Sequence, residues 1–124
     1  MEIKRIVVIE DSESLLSLLE MLLMSYLLKL GISAEIHLFS SADSYLSDFG
    51  DFVPNLILSD VDTKSRINGI ELLQKIRAKV SNTFYVIMSG ISENRYLALK
   101  FGADRFLEKP FKNEEIQAIL RKIA

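Results

Sequence analysis

The sequence predicts an α/β domain built from five strand–helix units, a parallel sheet with helices on both faces. Three observations predict it. Short apolar runs rich in β-branched or aromatic residues recur along the chain, and longer segments of helical period separate them. Two of the runs, Leu56-Ile57-Leu58 and Tyr85-Val86-Ile87-Met88, are apolar without alternation, which suits strands covered on both faces. Right-handed crossovers between parallel strands then distribute the helices over both sides of the sheet.

Taken in order, the strands are expected at Ile3–Ile9, Ala34–Phe39, Asn55–Ser59, Thr83–Met88 and Arg105–Leu107. The first helix runs from about Ser12 to Leu30 and stops at Gly31, a residue suited to the left-handed C′ position. The second covers roughly Ala42–Phe49. The third starts near Asn68, with Glu71 three residues on as in a capping box. Its apolar positions Ile70, Leu73, Ile76 and Val80 recur at helical spacing. The fourth spans about Glu93–Phe101 and ends at Gly102. The fifth follows Pro110, with Asn113 as N-cap and Ile116, Ile119, Leu120 and Ile123 as its buried stripe.

Composition narrows the function classes. The chain has 124 residues, 49% hydrophobic and 26% charged, enough apolar side chains for one core in a single domain spanning 1–124. Net charge is −2, so no overall basic field attracts nucleic acid or anionic lipid. Cysteine is absent and His37 is the single histidine, which excludes a disulfide scaffold, a thiol nucleophile and a Cys- or His-rich metal site. The first apolar run, Ile6–Ile9, ends in two acids and is no signal peptide. Leu15–Leu30 holds twelve Leu, Met or Tyr residues in sixteen positions, but it is too short for a membrane span and contains Glu20 and Lys29. A cytoplasmic location is expected.

In this fold class, ligands bind beyond the carboxyl ends of the strands. Strand one ends in Glu10-Asp11, strand three in Asp60 and strand four in Ser89, while strand five runs into Lys109-Pro110. Three carboxylates, one hydroxyl and one ammonium are therefore expected to converge at one sheet edge. Taken singly, each has an ordinary reading: a helix-start pair, a turn residue, a helix cap, a solvated lysine. Together they make a site. Carboxylates a few Å apart repel and raise one another's pKa, and a divalent cation relieves this. Oxygen-only donors suit Mg²⁺. Asp60 ends the most buried strand and is the best placed nucleophile, since carboxylates act as phosphoryl acceptors. Lys109 and the Ser89 hydroxyl would each meet a phosphoryl oxygen.

At this point the chain resembles the response regulator receiver domains of two-component signalling, from Lys4 to Ile123. The matching segments are Glu10-Asp11, Leu56-Ile57-Leu58-Ser59-Asp60, Asn68-Gly69-Ile70-Glu71-Leu72, Val86-Ile87-Met88-Ser89 and Phe101-Gly102-Ala103-Asp104-Arg105-Phe106-Leu107-Glu108-Lys109-Pro110-Phe111. The resemblance implies a flavodoxin-like sheet in strand order 2-1-3-4-5. It implies phosphorylation of Asp60 by the phosphohistidine of a sensor histidine kinase or histidine phosphotransfer protein. It also implies Mg²⁺ held by Glu10, Asp11, Asp60 and the backbone carbonyl of Asp62, a switch pair of Ser89 and Phe106, and a cis Lys109-Pro110 peptide. Such a receiver catalyses only its own phosphorylation and dephosphorylation. The length leaves no space for an output domain within it, so a stand-alone receiver is expected, acting by contact on a target that the sequence does not name.

Two features depart from the family pattern. The loop Val61-Asp62-Thr63-Lys64-Ser65-Arg66-Ile67-Asn68-Gly69 lacks the usual proline and carries one extra residue. Asp62 adds a fourth carboxylate, placed to contact a metal-bound water. Helix one is about a turn longer than usual. Leu15, Leu19, Leu22 and Tyr26 are expected to face the sheet, leaving Met21, Met24 and Leu28 on the normally wet side. That side is either a docking or homodimer face, or it is covered by the last helix or the termini.

Two other functions fit parts of the pattern. Leu56–Thr63 is similar to the first motif of haloacid-dehalogenase-type phosphohydrolases, with Asp60 and Asp62 as the acid pair and Ser89 and Lys109 as later motifs. Against it, the motif normally opens such a chain. A receiver-like module that binds a partner without phosphorylation is the non-catalytic alternative. A flavodoxin is disfavoured because Glu10-Asp11 would repel a phosphate in the first loop. His37 is expected half-exposed on an edge strand without a role. Lys64, Arg66, Arg121 and Lys122 are expected to be solvated, with no direct nucleic-acid or membrane contact.

Overall fold

The computed structural model describes residues 2–48, 53–62, 66–79 and 82–124. Five strands, β1 (Lys4–Ile9), β2 (Ala34–Phe39), β3 (Leu56–Asp60), β4 (Phe84–Ser89) and β5 (Arg105–Glu108), alternate with five helices. The helices are α1 (Glu13–Leu30), α2 (Ala42–Asp48), α3 (Gly69–Lys79), α4 (Asn94–Lys100) and α5 (Asn113–Ile123). All strand pairs are parallel, in the order β2-β1-β3-β4-β5. The order reverses next to β1, so the carboxyl ends of β1 and β3 open onto one crevice.

Alternation along the strands builds two cores. Ile6, Val8, Leu58, Val86, Met88 and Leu107 point to α1 and α5, where Leu19, Leu23, Ile116 and Leu120 cover them. Val7, Ile9, Ile57, Tyr85, Ile87 and Phe106 point to the other side, under Tyr45, Leu73, Ile76 and Ala98. Every residue of β3 is buried, as its unbroken apolar run predicts.

The caps explain most boundaries. Ser12 caps α1 by accepting from the Leu15 amide, and Gly31 closes it at φ 69°. Asn68 and Glu71 form the expected capping box: Asn68 Oδ1 accepts from the Glu71 amide at 2.8 Å, and Glu71 Oε1 from the Asn68 amide at 3.0 Å.

Two expectations need correction. Asn113 is the first helical residue of α5 rather than its cap. The cap position is Lys112, whose N–H donates to Glu115 Oε1 at 3.0 Å, the N3-to-cap half of a capping box. On α1 Leu19, Leu23, Tyr26 and Leu27 are buried, so Leu23 and Leu27 join the expected stripe, while Leu15 and Leu22 pack half-buried against the same core. The helix packs against α5 as well as the sheet, which rotates its apolar face toward that seam. Phe49, Val80 and Thr63–Ser65 lie outside the described residues. Among the described residues, no helix is long and apolar enough to cross a membrane.

Candidate functional site

The strand ladders deliver the functional side chains. Asp60 is paired with Met88, which sets Ser89 one step further along the neighbouring strand. The Lys109 amide donates to the Ser89 carbonyl at 2.8 Å, so the β4–β5 ladder extends just far enough to bring Lys109 over the same edge. The Glu10 amide likewise continues β1 by donating to Phe39 at 3.0 Å. The Lys109–Pro110 peptide is cis.

Carboxylate oxygens of Glu10, Asp11 and Asp60 lie within 4.8 Å of one another. Glu10 is 1% exposed and Asp60 7%. The Lys109 ammonium bridges two of the three: Nζ donates to Glu10 Oε1 at 2.7 Å and lies 3.3 Å from Asp60 Oδ1. The second Glu10 oxygen accepts from the Ser12 amide at 3.1 Å, at the start of α1. Burial and the negative charge of Glu10 push the Asp60 carboxyl up to about 6, with Lys109 pulling the other way and Asp11 adding to the rise. Burial disfavours the Lys109 ammonium, but the Glu10 hydrogen bond and the Asp60 charge outweigh it and raise its pKa above the ordinary lysine value.

The donor set fits a hard divalent cation: three carboxylates, no nitrogen or sulfur ligand, and a net negative charge that one ammonium does not cancel. The exposed Asp62 carboxylate is not part of this close group. Ser89 is buried, and its Oγ accepts from the Ile91 amide and from Asn94 Nδ2, both at 3.0 Å. These accepted bonds leave the hydroxyl proton for donation. Phe106 is buried against the α3 and α4 side of the sheet, with the Arg95 guanidinium 4.9 Å over its ring.

Asn94 and Arg95 were not singled out from the sequence. Their signal was available: both open the helix that follows Ser89, Asn94 five residues on, where a side chain reaches back across the strand end. His37 sits on edge strand β2, half-exposed, 3.2 Å from Glu35.

A doubly wound sheet with this acid cluster and lysine is the architecture of a receiver. The family model of the response regulator receiver domain matches residues 6–121. The response regulator ArlR of Staphylococcus aureus is 31% identical over 120 residues, covering 96% of this chain and 52% of that protein. The receiver domain of NtrX from Brucella abortus superposes with a TM-score of 0.81 at 27% identity, covering 95% of this chain and 96% of that one. A receiver domain of a sensor histidine kinase from Pseudomonas aeruginosa, solved with magnesium coordinated in its active-site cleft, shares the fold. Its TM-score is 0.78 at 22% identity, over 98% of this chain and 97% of that one. The chain belongs to the response regulator receiver family of two-component signalling. It spans a third to about half of the length of the curated relatives it matches.

Proposed function

We propose that Asp60 accepts a phosphoryl group from a phosphohistidine of a sensor histidine kinase or phosphotransfer protein, and that this changes a protein-binding surface through Ser89 and Phe106. The observation that carries the reading is the Asp60 carboxylate, held at a strand end 3.3 Å from Lys109 and within 4.8 Å of the Glu10 and Asp11 carboxylate oxygens.

One Asp60 oxygen forms the new O–P bond as the P–N bond of the donor breaks and the imidazole nitrogen takes the electron pair. Mg²⁺, held by Glu10, Asp11, Asp60 and the carbonyl of Asp62, would neutralise the phosphoryl charge. The magnesium described for the Pseudomonas kinase receiver supports this choice of ion. Lys109 supplies a fixed ammonium beside the acceptor, and Ser89 an O–H to a phosphoryl oxygen. Glu10 holds Lys109 in place through its 2.7 Å bond. Gly90 carries no side chain and is exposed, leaving the approach to Asp60 open to donor or water. Turnover is confined to this self-modification, in the cytoplasm.

Incubation with Mg²⁺ and a small acyl phosphate tests the reading. Mass spectrometry is expected to find one added phosphoryl group, absent from Asp60→Asn. No addition from the donor or from a cognate kinase would leave a module that binds without phosphorylation. Steady release of phosphate from monoesters would instead indicate a phosphohydrolase.

A further inference from the structure

Beneath the acidic cluster lies a second polar group to which the mechanism above gives no part. Ser59 on β3 and Tyr85 on β4 are fully buried. Ile57 pairs with Tyr85 and Ser59 with Ile87, so both hydroxyls lie on the same sheet face, under the start of α3. The Tyr85 hydroxyl donates to the Gly69 carbonyl at 3.0 Å, and the Ser59 hydroxyl donates to the Asp60 carbonyl at 3.0 Å. Burial drives the Tyr85 pKa upward.

These bonds meet where the loop after Asp60 begins and ends. The Val61 amide donates to Met88 at 3.1 Å, and the Gly69 amide donates to Val61 at 2.9 Å, closing the neck of the loop. The packing there is tight: a methyl group on Gly69 would come 2.2 Å from the Asp60 carbonyl oxygen and 2.9 Å from Ser59 Oγ. Burying a hydroxyl costs about 1–3 kcal/mol unless it is hydrogen-bonded, and the neighbouring positions Ile57 and Ile87 fill the same layer with hydrocarbon. Burial alone therefore does not call for hydroxyls at Ser59 and Tyr85. Both are spent on the carbonyls of Asp60 and Gly69.

We infer that Ser59 and Tyr85 are positioning residues, a buried clamp that fixes the backbone on either side of the loop and thereby holds the Asp60 carboxylate and its cation site in register. The inference rests on the phosphoacceptor reading of Asp60 and deepens it.

The test uses the full chain as wild type, Tyr85→Phe, Ser59→Ala and a packing control, Ile87→Val. Mg²⁺ alone is titrated, amide exchange at Val61 and Gly69 is followed, and the rate of phosphorylation by an acyl phosphate is measured. Tyr85→Phe and Ser59→Ala are expected to weaken Mg²⁺ binding by about tenfold. They are also expected to speed Gly69 exchange by about tenfold beyond the change in global stability, and to slow phosphorylation. Ile87→Val is expected to lower stability and leave the Mg²⁺ affinity alone. Should one clamp variant fail to fold, the other decides the matter. Clamp variants that match Ile87→Val in Mg²⁺ affinity and in Gly69 exchange overturn the inference. A wild type that binds Mg²⁺ but takes no phosphoryl group overturns the phosphoacceptor reading instead, and the clamp is then judged on affinity and exchange.

Discussion

Asp60, the proposed phosphoacceptor, is held in place at a cost to folding stability. Its carboxyl is buried beside Glu10, and its pKa rises to about 6. A group whose pKa is higher folded than unfolded binds more protons in the folded state, so stability falls as pH rises between the two values. For Asp60 the window runs from the ordinary Asp value of 3.8 to about 6. Below it the carboxyl is neutral in both states; above it the folded protein carries a buried charge that Lys109 only partly offsets. In the presence of a chelator, Asp60→Asn is therefore expected to be the more stable protein at pH 7.5, by roughly 1–3 kcal/mol. That corresponds to on the order of 4–10 °C in Tm. The difference should close as the pH approaches 4. Paired thermal melts across that range check it, and a variant that gains nothing at pH 7.5 would contradict the account. The residues of the site that could be read from sequence alone were those, like Asp60 and Lys109, whose charge is out of place at the end of an apolar run. Tyr85 and Ser59 gave no such signal, because a hydroxyl inside an apolar strand looks like packing until its partner is known. That partner is a backbone carbonyl, and the sequence does not say which carbonyl the fold brings there.

Among the elements, the strands were read more securely than the helix faces. An unbroken apolar run has one solution in a parallel sheet, so β3 and β4 fell within a residue of expectation. Helix α1 carries more apolar residues than one face needs, and its buried set depends on where α5 lies, a contact between distant segments that local period does not encode. The start of α5 was misplaced for a local reason: the Lys112 amide donates to Glu115 three residues on, and the helix begins one residue before the one with the best capping propensity would set it. Tertiary ties fix α3. Arg77 donates to the Thr83 carbonyl at 2.7 Å, to the Gly102 carbonyl at 3.0 Å and to Asp104 Oδ2 at 2.8 Å, and the same Asp104 oxygen accepts from the Tyr85 amide at 2.8 Å. One guanidinium thus joins α3, the start of β4 and the turn before β5, where Gly102 sits at φ 104°. Arg77→Ala leaves two carbonyls and a carboxylate without that donor. Urea unfolding should find it about 1–3 kcal/mol less stable, with phosphorylation of the folded variant preserved, since Arg77 lies at the amino-terminal end of β4, away from Asp60. A loss under about 0.5 kcal/mol, the range of ordinary surface changes, would show that the tie is dispensable.

For the whole molecule, the two ends of the sheet and its outer faces divide the work. The candidate site sits at the carboxyl edge, while α1 presents an apolar surface with no part in the core: Met21 is 61% exposed, Met24 58% and Leu28 83%. Of the two alternatives for this side, cover by α5 or the termini is not met among the described residues, since α5 packs on the Leu23 and Leu27 side of the helix. Water-facing methionine and leucine side chains on one helix are the kind of surface that partner proteins bury, and α1 starts beside the acid cluster, with Ser12 bonded to Glu10. A donor protein seated on α1 would therefore reach Asp60, whereas a small acyl phosphate needs no such seat. This separates docking from chemistry in one double variant, Met21→Glu with Leu28→Glu. Both positions are exposed, so the fold should hold within about 0.5 kcal/mol. Phosphorylation by the small donor is expected at the wild-type rate, and phosphotransfer from a kinase or phosphotransfer protein is expected to fall by about tenfold or more, the loss of one to two buried anchors. Sedimentation of the same variant reports on self-association. Unchanged phosphotransfer together with unchanged mass would exclude α1 as a contact surface, and the donor would then have to approach Asp60 from the α4 side, where Tyr96 and Leu99 are exposed apolar groups.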